Sequence, residues 1–285
     1  MSGKPLGPED LVLCAGTLAT ASFRERAEAA AAAGFAGVSL FVTDHLRARA
    51  EGLSDADLRA ILGDSGIAVA EVDPLLRWVP EAELGAEANA QGAAFFAHGE
   101  EDFYAAAAAV GARSINAALV TDAALPPETV AEAFAGLCDR AAERGLLVHL
   151  EFLPWTGIPD LAGALAIVEM AGRPNGGVTL DAWHHFRSGG DARDVLRAPG
   201  ARILSVQLDD APREPEPDPV EETTHRRLLP GEGAIDLVGV LRALREIGSP
   251  APLGVEVFSD ELARLPADEV ARRAADSMRA LLARV

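Results

Sequence analysis

The 285-residue chain is predicted to form a single (β/α)₈ barrel. A helical stretch rich in Ala, Arg and Glu, a glycine and a short Val/Ile/Leu run follow one another repeatedly, as in AEAAAAAGFAGVSLF and CDRAAERGLLVHLEF. The apolar runs are continuous rather than alternating, which is typical of parallel strands covered on both faces. One barrel of this kind commonly needs about 250 residues. No linker or low-complexity segment divides the chain, so a single domain over residues 1–285 is expected.

The repeated pattern supplies the strands and helices in order. The strands are expected at residues 11–16, 37–42, 67–73, 114–119, 147–152, 177–183, 203–210 and 253–258. A helix is expected after each strand, the last one over residues 266–285. Glycine suits the positive φ of a helix C-terminus, and the candidates are Gly34, Gly66, Gly111, Gly145, Gly176 and Gly248. An alternation repeated eight times favours a closed barrel, because open doubly wound sheets usually have fewer strands.

Three segments lie outside this pattern. Residues 1–10 are expected to be a flexible leader, and they lack the apolar region of a signal peptide. Residues 76–91 and 211–233 form loops longer than the usual few residues. Both loops would lie on the C-terminal rim, where barrel active sites are built. The second loop joins acidic APREPEPDPVEE to basic THRRLLPGEG and is either a lid or acidic surface padding.

Composition excludes several classes of function. A formal charge of −19 would repel phosphate backbones, so nucleic acid is not an expected partner. No apolar stretch approaches the roughly 20 residues that cross a bilayer, and a cytoplasmic protein without a membrane partner is expected. Lys4 is the only lysine and lies in the leader, which excludes an aldolase of the Schiff-base type. Cys14 and Cys138 are expected to be buried apolar residues rather than a disulfide or metal pair.

Polar residues stand near the C-terminal ends of the last four strands. They are Glu151 in LLVHLEF, Asp181 in GVTLDAWHH, Gln207 in ILSVQLDD and Glu256 in LGVEVFS. A carboxylate inside an apolar strand is costly unless it is paired or bound to a cation. We therefore expect these residues to converge on one metal ion, with a buried hydrogen-bond network as the alternative. The oxygen-rich set suits Mn²⁺, Mg²⁺ or Co²⁺ better than zinc.

Such a site can enolise a substrate that carries a carbonyl beside a hydroxyl, because the ion acts as a Lewis acid. Glu151 and Glu256 come from different strands and are the expected bases. His184 is expected to position a hydroxyl or act as general acid, or else to orient a carboxylate. Returning the proton to the opposite face gives epimerisation, and returning it to the adjacent carbon gives isomerisation. Loss of a β-hydroxyl gives dehydration instead.

Further residues near the predicted site have weaker signals. Trp155 and Trp183 would form an apolar wall for a sugar ring or simply pack in the core. His149 lies two residues before Glu151 and is expected to be a core histidine with its hydrogen bonds satisfied. His185 is expected to pack in the interior, and Glu232 to shape the start of the next helix. The adjacent residues His225, Arg226 and Arg227 either close over the site or offset the acidic half of their loop.

The motifs LEF, LDAWHH, QLDDAPR, LPGEG and GVEVF, in this order, resemble the xylose-isomerase-like (sugar isomerase/epimerase) TIM-barrel superfamily. The resemblance covers most of the chain and is clearest from Leu146 onward. It implies a metal ion held by Glu151, Asp181, Gln207 and Glu256. Histidine is commoner at the third of these positions, although some relatives, including dehydratases, have glutamine there.

The resemblance also implies substrate contacts. The histidine three residues after the metal-binding aspartate binds substrate in relatives and is His184 here. An arginine six residues after the third ligand contacts substrate in epimerases and is Arg213 here, although a salt bridge on the rim is an alternative. The epimerase pattern has a glutamate six residues after its first ligand, where this chain has Gly157. Relatives are often dimers or tetramers, which leaves a homodimer or a homotetramer open.

These observations favour a metal-dependent isomerase or epimerase of carbohydrate metabolism that uses Mn²⁺ and acts on an unphosphorylated, polyhydroxylated small molecule. The alternative is a dehydratase, a lyase, of a cyclic polyol ketone such as an inosose or 3-dehydroshikimate, and Gln207 and Gly157 point toward it. Phosphate is not expected on the substrate, because the segments DDAPREP and FSDELARLP, which follow strands seven and eight, lack the glycines of a phosphate-binding loop. A DNA-repair endonuclease is disfavoured by six histidines and the acidic charge. A non-catalytic sugar-binding barrel is the interpretation that remains if no metal binds.

Overall fold

The computed structural model describes residues 5–80, 82, 96–121 and 123–285. Eight parallel strands pair in chain order and close into a barrel through the pairing of the last strand with the first. The strands are β1 (Leu11–Leu13), β2 (Gly37–Phe41), β3 (Ala68–Leu75), β4 (Ser114–Ala118), β5 (Leu147–Glu151), β6 (Gly176–Asp181), β7 (Ile203–Leu208) and β8 (Leu253–Val255). The predicted (β/α)₈ barrel is thereby confirmed.

Helices in the described part of the chain connect these strands and cover the outside of the barrel. They are α1 (Phe23–Ala33), α2 (Val42–Ala50), α3 (Asp55–Ser65), α4 (Glu100–Val110), α5 (Pro127–Ala142), α6 (Leu161–Ala171), α7 (Ala182–Arg187), α8 (Ala192–Arg197), α9 (Pro219–His225), α10 (Leu237–Glu246) and α11 (Ala267–Leu282). Short 3₁₀ helices follow β1, precede β7 and precede α11. None of the described helices is long and apolar enough to span a membrane.

The predicted strand positions are right, but β1 and β8 are shorter than their apolar runs. Residues Ala15–Leu18, after β1, turn into a 3₁₀ helix. Five of the six predicted glycines have a positive φ, and Gly176 is the exception. Helix α6 ends one turn earlier than expected, at Gly172 with φ 64°, and Gly176 opens β6. The physical reason is that Gly172 already supplies the left-handed residue that terminates a helix.

The described part of residues 1–10 contacts the barrel. Leu6 packs against Val12, Cys14 and Ala70. Both cysteines are free and buried, as expected.

The long loop at 211–233 is structured and folds back onto the barrel. It contains α9, and Asp210 exchanges two backbone hydrogen bonds with Leu228. The buried carboxylate of Asp210 accepts hydrogen bonds from the backbone N–H groups of Ala211, Gly231 and Ile235 at 2.9–3.0 Å. One side chain thus fixes both ends of the loop. The other predicted long loop, 76–91, lies largely outside the described residues.

The interior of the barrel is packed too closely between β6 and β7 to accept an added methyl group. A Cβ on Gly177 would lie 2.4 Å from the carbonyl oxygen of Arg202. We expect Gly177→Ala to lower the free energy of unfolding by about 1–3 kcal/mol, the usual cost of overpacking. Urea unfolding followed by circular dichroism measures this change.

Gly63→Ala is the matched control, because a Cβ there meets nothing within 4 Å and the position lies inside α3. This control should be as stable as the wild type or more stable by up to about 1 kcal/mol. Equal unfolding midpoints for Gly177→Ala and the wild type would contradict the described packing of β6 against the start of β7.

Candidate active site

The four predicted metal ligands all lie at the C-terminal end of the barrel. Glu151 and Asp181 are the last residues of β5 and β6, Gln207 is the penultimate residue of β7, and Glu256 directly follows β8. All four are buried, with exposed fractions between 0% and 7%. The parallel strands therefore bring their polar ends to one place, as the sequence predicted.

Asp181 links the end of β6 to His184. Its Oδ1 caps α7 by accepting a hydrogen bond from the backbone N–H of His184 at 2.8 Å. One ligand atom each from Glu151, Asp181 and His184 lies within 4.8 Å of the other two, and His184 Nε2 is 3.5 Å from Glu151 Oε1. The ligand atoms of these three residues are close enough together to bind one metal ion.

Gln207 pairs with Asp181 across β6 and β7, and Glu256 follows β8 but lies outside the group of three. Both amide atoms of Gln207 and the Oε1 atom of Glu256 are buried and have no hydrogen-bond partner among the described residues. A buried polar atom without a partner is costly and calls for an explanation such as an ion. Carboxylate and amide oxygens with one imidazole nitrogen are suitable ligands for a divalent cation. The residues present therefore fit a metal ion.

Two side chains that the sequence analysis did not single out belong to the same site. Asp73 lies near the end of β3, and Asn116 lies in β4; both are buried. Asn116 Nδ2 donates hydrogen bonds to Asp73 Oδ1 at 2.8 Å and to Glu151 Oε2 at 2.7 Å. The available signal was the period of two in a parallel strand: Glu71 and Asp73 alternate with apolar residues and so share the inward face.

A second polar layer lies below this site. His149 is fully buried, and its ring contacts Asn116 and Thr179 through Nδ1 and Ser114 and Glu71 through Nε2, at 2.6–3.2 Å. It is a core histidine with its hydrogen bonds satisfied, as predicted. This layer supports the residues above it.

Arg227 enters the carboxylate cluster from the loop after β7. Its Nη1 atom is 2.7 Å from Asp181 Oδ2, 2.5 Å from Asp209 Oδ2 and 3.8 Å from Glu256 Oε2. Its Nη2 atom is 3.4 Å from His184 Nε2. Arg227 is therefore part of the site itself. From the sequence, Arg227 was expected either to close over the site or to offset the acidic half of its loop, because a loop has no periodicity that fixes where a side chain points.

Helix α9 holds this arginine in place. Thr223, in the preceding turn, accepts hydrogen bonds from Arg227 through its carbonyl and hydroxyl oxygens. The neighbouring Glu222 is buried and accepts hydrogen bonds from the Trp183 indole at 3.2 Å and from Arg187 Nε at 3.0 Å. The helix is thus fastened to α7, directly behind His184.

The carboxyl groups of the cluster resist simultaneous ionisation. Burial raises the pKa of Glu151 and of Glu256 well above the usual range, and the charge of Asp73 is the second cause for both. Burial and the charge of Glu71 raise the pKa of Asp73 to about 7. A cation bound among these groups would favour their ionised forms.

The pKa values of Asp181 and His184 are shifted in the opposite direction, below their usual values. Burial acts to raise the pKa of Asp181, but the charge of Arg227 and the contacts with His184 outweigh it, so this pKa is lowered. Burial, and to a smaller extent the charge of Arg227, lower the pKa of His184 to about 4. His184 is consequently neutral near pH 7, and an imidazole without a proton on one nitrogen can bind a metal ion or accept a proton.

The two predicted aromatic residues occupy different positions. Trp155 is 36% exposed at the mouth of the barrel, with its ring centroid 5.6 Å from that of His184. Trp183 is fully buried, and its indole donates to Glu222. Trp155 is therefore placed to contact a bound molecule, whereas the position of Trp183 fits the alternative of packing.

The remaining predicted residues lie away from the carboxylate cluster. Arg213 and Arg226 are exposed, and His225 contacts Asp260 on the rim at 3.0 Å. Glu232 accepts a hydrogen bond from the backbone of Leu229, and His185 contacts the carbonyl of Asp191 and packs against Phe152. The structure thus does not bring Arg213 together with Glu151, Asp181 and His184.

The chain is similar to known proteins in both sequence and fold. The model of the family described as xylose isomerase-like TIM barrel matches residues 27–281. A 3-dehydroshikimate dehydratase of Pseudomonas aeruginosa is 32% identical over 263 residues, which cover 90% of this chain and 39% of the relative. An inosose isomerase of Bacillus velezensis is 32% identical over 173 residues, which cover 58% of this chain and 60% of the relative.

A solved structure of an IOLI protein with a bound zinc atom has a TM-score of 0.82 to this chain at 22% identity, and covers 96% of this chain and 98% of that one. This likeness shows the fold alone. The chain spans less than two thirds of the length of the curated relatives described above. The family match, in contrast, includes every strand from β2 to β8 and all the residues of the candidate site, and the chain belongs to the xylose isomerase-like TIM barrel family.

Proposed function

We propose that the protein is a divalent-metal-dependent enzyme that enolises a polyhydroxylated ketone, a sugar or a cyclitol. The observation that carries this proposal is the grouping of Glu151, Asp181 and His184 within 4.8 Å beside the unpaired buried atoms of Gln207 and Glu256. The names of the two curated relatives, an inosose isomerase and a 3-dehydroshikimate dehydratase, support a substrate of this class.

Mn²⁺ is the proposed ion, with Mg²⁺ and Co²⁺ as alternatives. Glu151, Asp181, Gln207 and Glu256 would hold it through oxygen atoms, which favours a hard cation. The imidazole of His184 adds a nitrogen ligand that Mn²⁺, Co²⁺ and Zn²⁺ accept more readily than Mg²⁺ does. When bound, the ion would supply a Lewis acid that stabilises the enediolate formed from the substrate.

The protein side chains would move the protons. Glu151 would take the α-proton as the C–H bond breaks and its electrons move to the carbonyl oxygen. His184 Nε2, at 3.5 Å from Glu151 Oε1, would hold the hydroxyl next to the carbonyl. Glu256 would face the substrate from β8, and Trp155 would contact an apolar face of the ring.

Three reactions share this intermediate, and we favour dehydration over isomerisation or epimerisation. In dehydration the β-hydroxyl leaves with its bonding electrons and takes up a proton, so that one water and a conjugated enone are formed. The glutamine at position 207, the glycine at position 157 and the match of a dehydratase to 90% of the chain support this outcome. The match of the inosose isomerase keeps isomerisation as the second candidate.

Metal binding is the first test. We expect the wild-type protein to bind about one Mn²⁺ per chain, because the oxygen donors form one site. Glu151→Gln and Glu256→Gln should each lose most of this affinity, since each removes a charged ligand. Calorimetric titration measures the affinity, and Mn²⁺ at about 100 times the dissociation constant should stabilise the wild type by about 2.7 kcal/mol.

Glu232→Gln is the control for that titration, because Glu232 is an exposed acid on the rim. It should bind Mn²⁺ like the wild type. A wild-type protein that binds none of Mn²⁺, Mg²⁺, Co²⁺ or Zn²⁺ would refute the enolisation mechanism and leave the non-catalytic sugar-binding barrel.

The reaction is tested by incubating the metal-loaded protein in D₂O with 3-dehydroshikimate and, separately, with an inosose. Isomerisation or epimerisation predicts uptake of deuterium at the carbon that takes the proton back, whereas dehydration predicts loss of the α-hydrogen. Dehydration also predicts an absorbance increase from the conjugated product, which isomerisation does not produce. We expect His184→Asn to lower kcat by about 10²–10⁴-fold, the usual contribution of a proton-transfer or positioning group.

His225→Asn is the matched control, since this histidine contacts Asp260 on the rim. It should retain the wild-type kcat. Deuterium uptake without any product would place the protein's substrate elsewhere in the class of hydroxy-ketones. The absence of both deuterium uptake and an absorbance increase with either ketone would argue against both candidate reactions.

Arg227 offers a test of how charge is balanced around the metal. It contacts Asp181 and Asp209, and loss of one partner from a buried ion pair costs about 3–5 kcal/mol. We expect Arg227→Met to lower the free energy of unfolding by about this amount in EDTA. Mn²⁺ should recover part of the loss, because it supplies positive charge to the same carboxylates.

Arg226→Met is the control, because the side chain of Arg226 is 57% exposed and surface substitutions usually change stability by about 0.5 kcal/mol or less. Urea unfolding with EDTA and with Mn²⁺ gives all the values. If Arg227→Met and Arg226→Met unfold alike in EDTA, then Arg227 does not balance the charge of the cluster.

A further inference from the structure

Asn116 has an unusual place among the residues of the site. It is fully buried in β4, between the carboxylates that β3 and β5 contribute. Its two amide hydrogens are directed to two acids, because Nδ2 is 2.8 Å from Asp73 Oδ1 and 2.7 Å from Glu151 Oε2. One neutral group thus separates two buried carboxylates on the two strands that flank β4.

The orientation of this amide is fixed from the opposite side. The Thr179 hydroxyl donates a hydrogen bond to Asn116 Oδ1 at 2.8 Å, and His149 Nδ1 is 3.0 Å from the same oxygen. A rotated amide would direct its NH₂ group at these partners and its oxygen at two carboxylates. All the hydrogen-bonding atoms of Asn116 are therefore satisfied in one orientation only.

This arrangement determines how Glu151 faces the site. Because Oε2 accepts the hydrogen bond from Asn116, Oε1 is the atom turned toward His184, at 3.5 Å from Nε2. We propose that Asn116 is a positioning residue that presents Glu151 to the metal ion through a single oxygen. The role rests on the proposed function, since it concerns the ligand geometry of the same metal site.

A merely structural amide would behave differently. Asn175 also makes two hydrogen bonds with its NH₂ group, at 2.8 Å to the carbonyl oxygen of Cys138 and at 3.1 Å to that of Leu146, but it lies at the N-terminal end of the barrel, before β6. Its loss should reduce thermal stability and leave metal affinity unchanged. Asn116 should affect the metal affinity as well, because groups that orient metal ligands contribute about 10–100-fold to affinity.

The experiment is a calorimetric Mn²⁺ titration of the wild type, Asn116→Leu and Asn175→Leu, with the melting temperature of each protein in EDTA. Asn116→Leu preserves the approximate size of the side chain and removes both hydrogen bonds to the acids. We expect its Mn²⁺ dissociation constant to rise by about 10–100-fold, and that of Asn175→Leu to equal the wild-type value. The Mn²⁺ electron paramagnetic resonance spectrum should also change in Asn116→Leu alone.

A pair of substitutions at Thr179 keeps the test decisive if Asn116→Leu does not fold. Thr179→Val removes the hydroxyl that fixes the amide without touching either acid, and Thr179→Ser retains that hydroxyl. We expect weaker Mn²⁺ binding in Thr179→Val and recovery in Thr179→Ser. Wild-type affinity in both Asn116→Leu and Thr179→Val would overturn the positioning role while the proposed function stands. Failure of the wild type itself to bind Mn²⁺ would overturn the proposed function, and the positioning role with it.

Discussion

The burial of five carboxyl groups at one end of the barrel is the constraint on which the rest of the site depends. These groups belong to five strands or the residues directly after them, and all are shielded from water: Asp73, Glu151, Asp181, Asp209 and Glu256. Ionised groups so placed are stable only with hydrogen bonds and positive charge nearby. Arg227 supplies one positive charge and Asn116 supplies two hydrogen bonds. A divalent ion would supply most of the positive charge that the carboxylates still need.

This constraint explains the construction of the loop after β7. A guanidinium inserted beside Asp181 must be fixed firmly, because a buried charge that loses its partner is costly. Asp210 fixes both ends of the loop through backbone N–H groups, and Glu222 fastens α9 to α7. The segment that the sequence suggested as a lid or padding is thus the support of a buried cation. Its acidic first half is exposed, as padding would be.

The sequence predicted most of the fold, because glycine-punctuated helices and apolar strands are local patterns. It also predicted Glu151, Asp181, Gln207 and Glu256 as convergent, since parallel strands deliver their ends to one rim. Asp73 and Asn116 escaped notice because each lies in a mostly apolar strand, Asp73 beside Glu71 in β3 and Asn116 beside Ser114 in β4. The place of Arg227 depends on a contact across 46 positions to Asp181, which no local pattern encodes. Local signals therefore specify the frame of the site, and long-range charge pairing completes it.

The two sides of the site differ in chemistry, and this difference bears on the reaction. Epimerisation needs acid–base groups of comparable competence on opposite faces of one carbon, because the proton leaves one face and returns to the other. Here Glu151 is oriented by a neutral amide beside a neutral imidazole, whereas Glu256 lies 3.8 Å from the guanidinium of Arg227. A nearby positive charge makes a carboxyl group a weaker base. Burial raises the pKa of both carboxyl groups, but of the two only Glu256 lies within 4 Å of the guanidinium of Arg227. This asymmetry suits the proposed dehydration, in which a proton is removed on one side and a hydroxyl departs on the other.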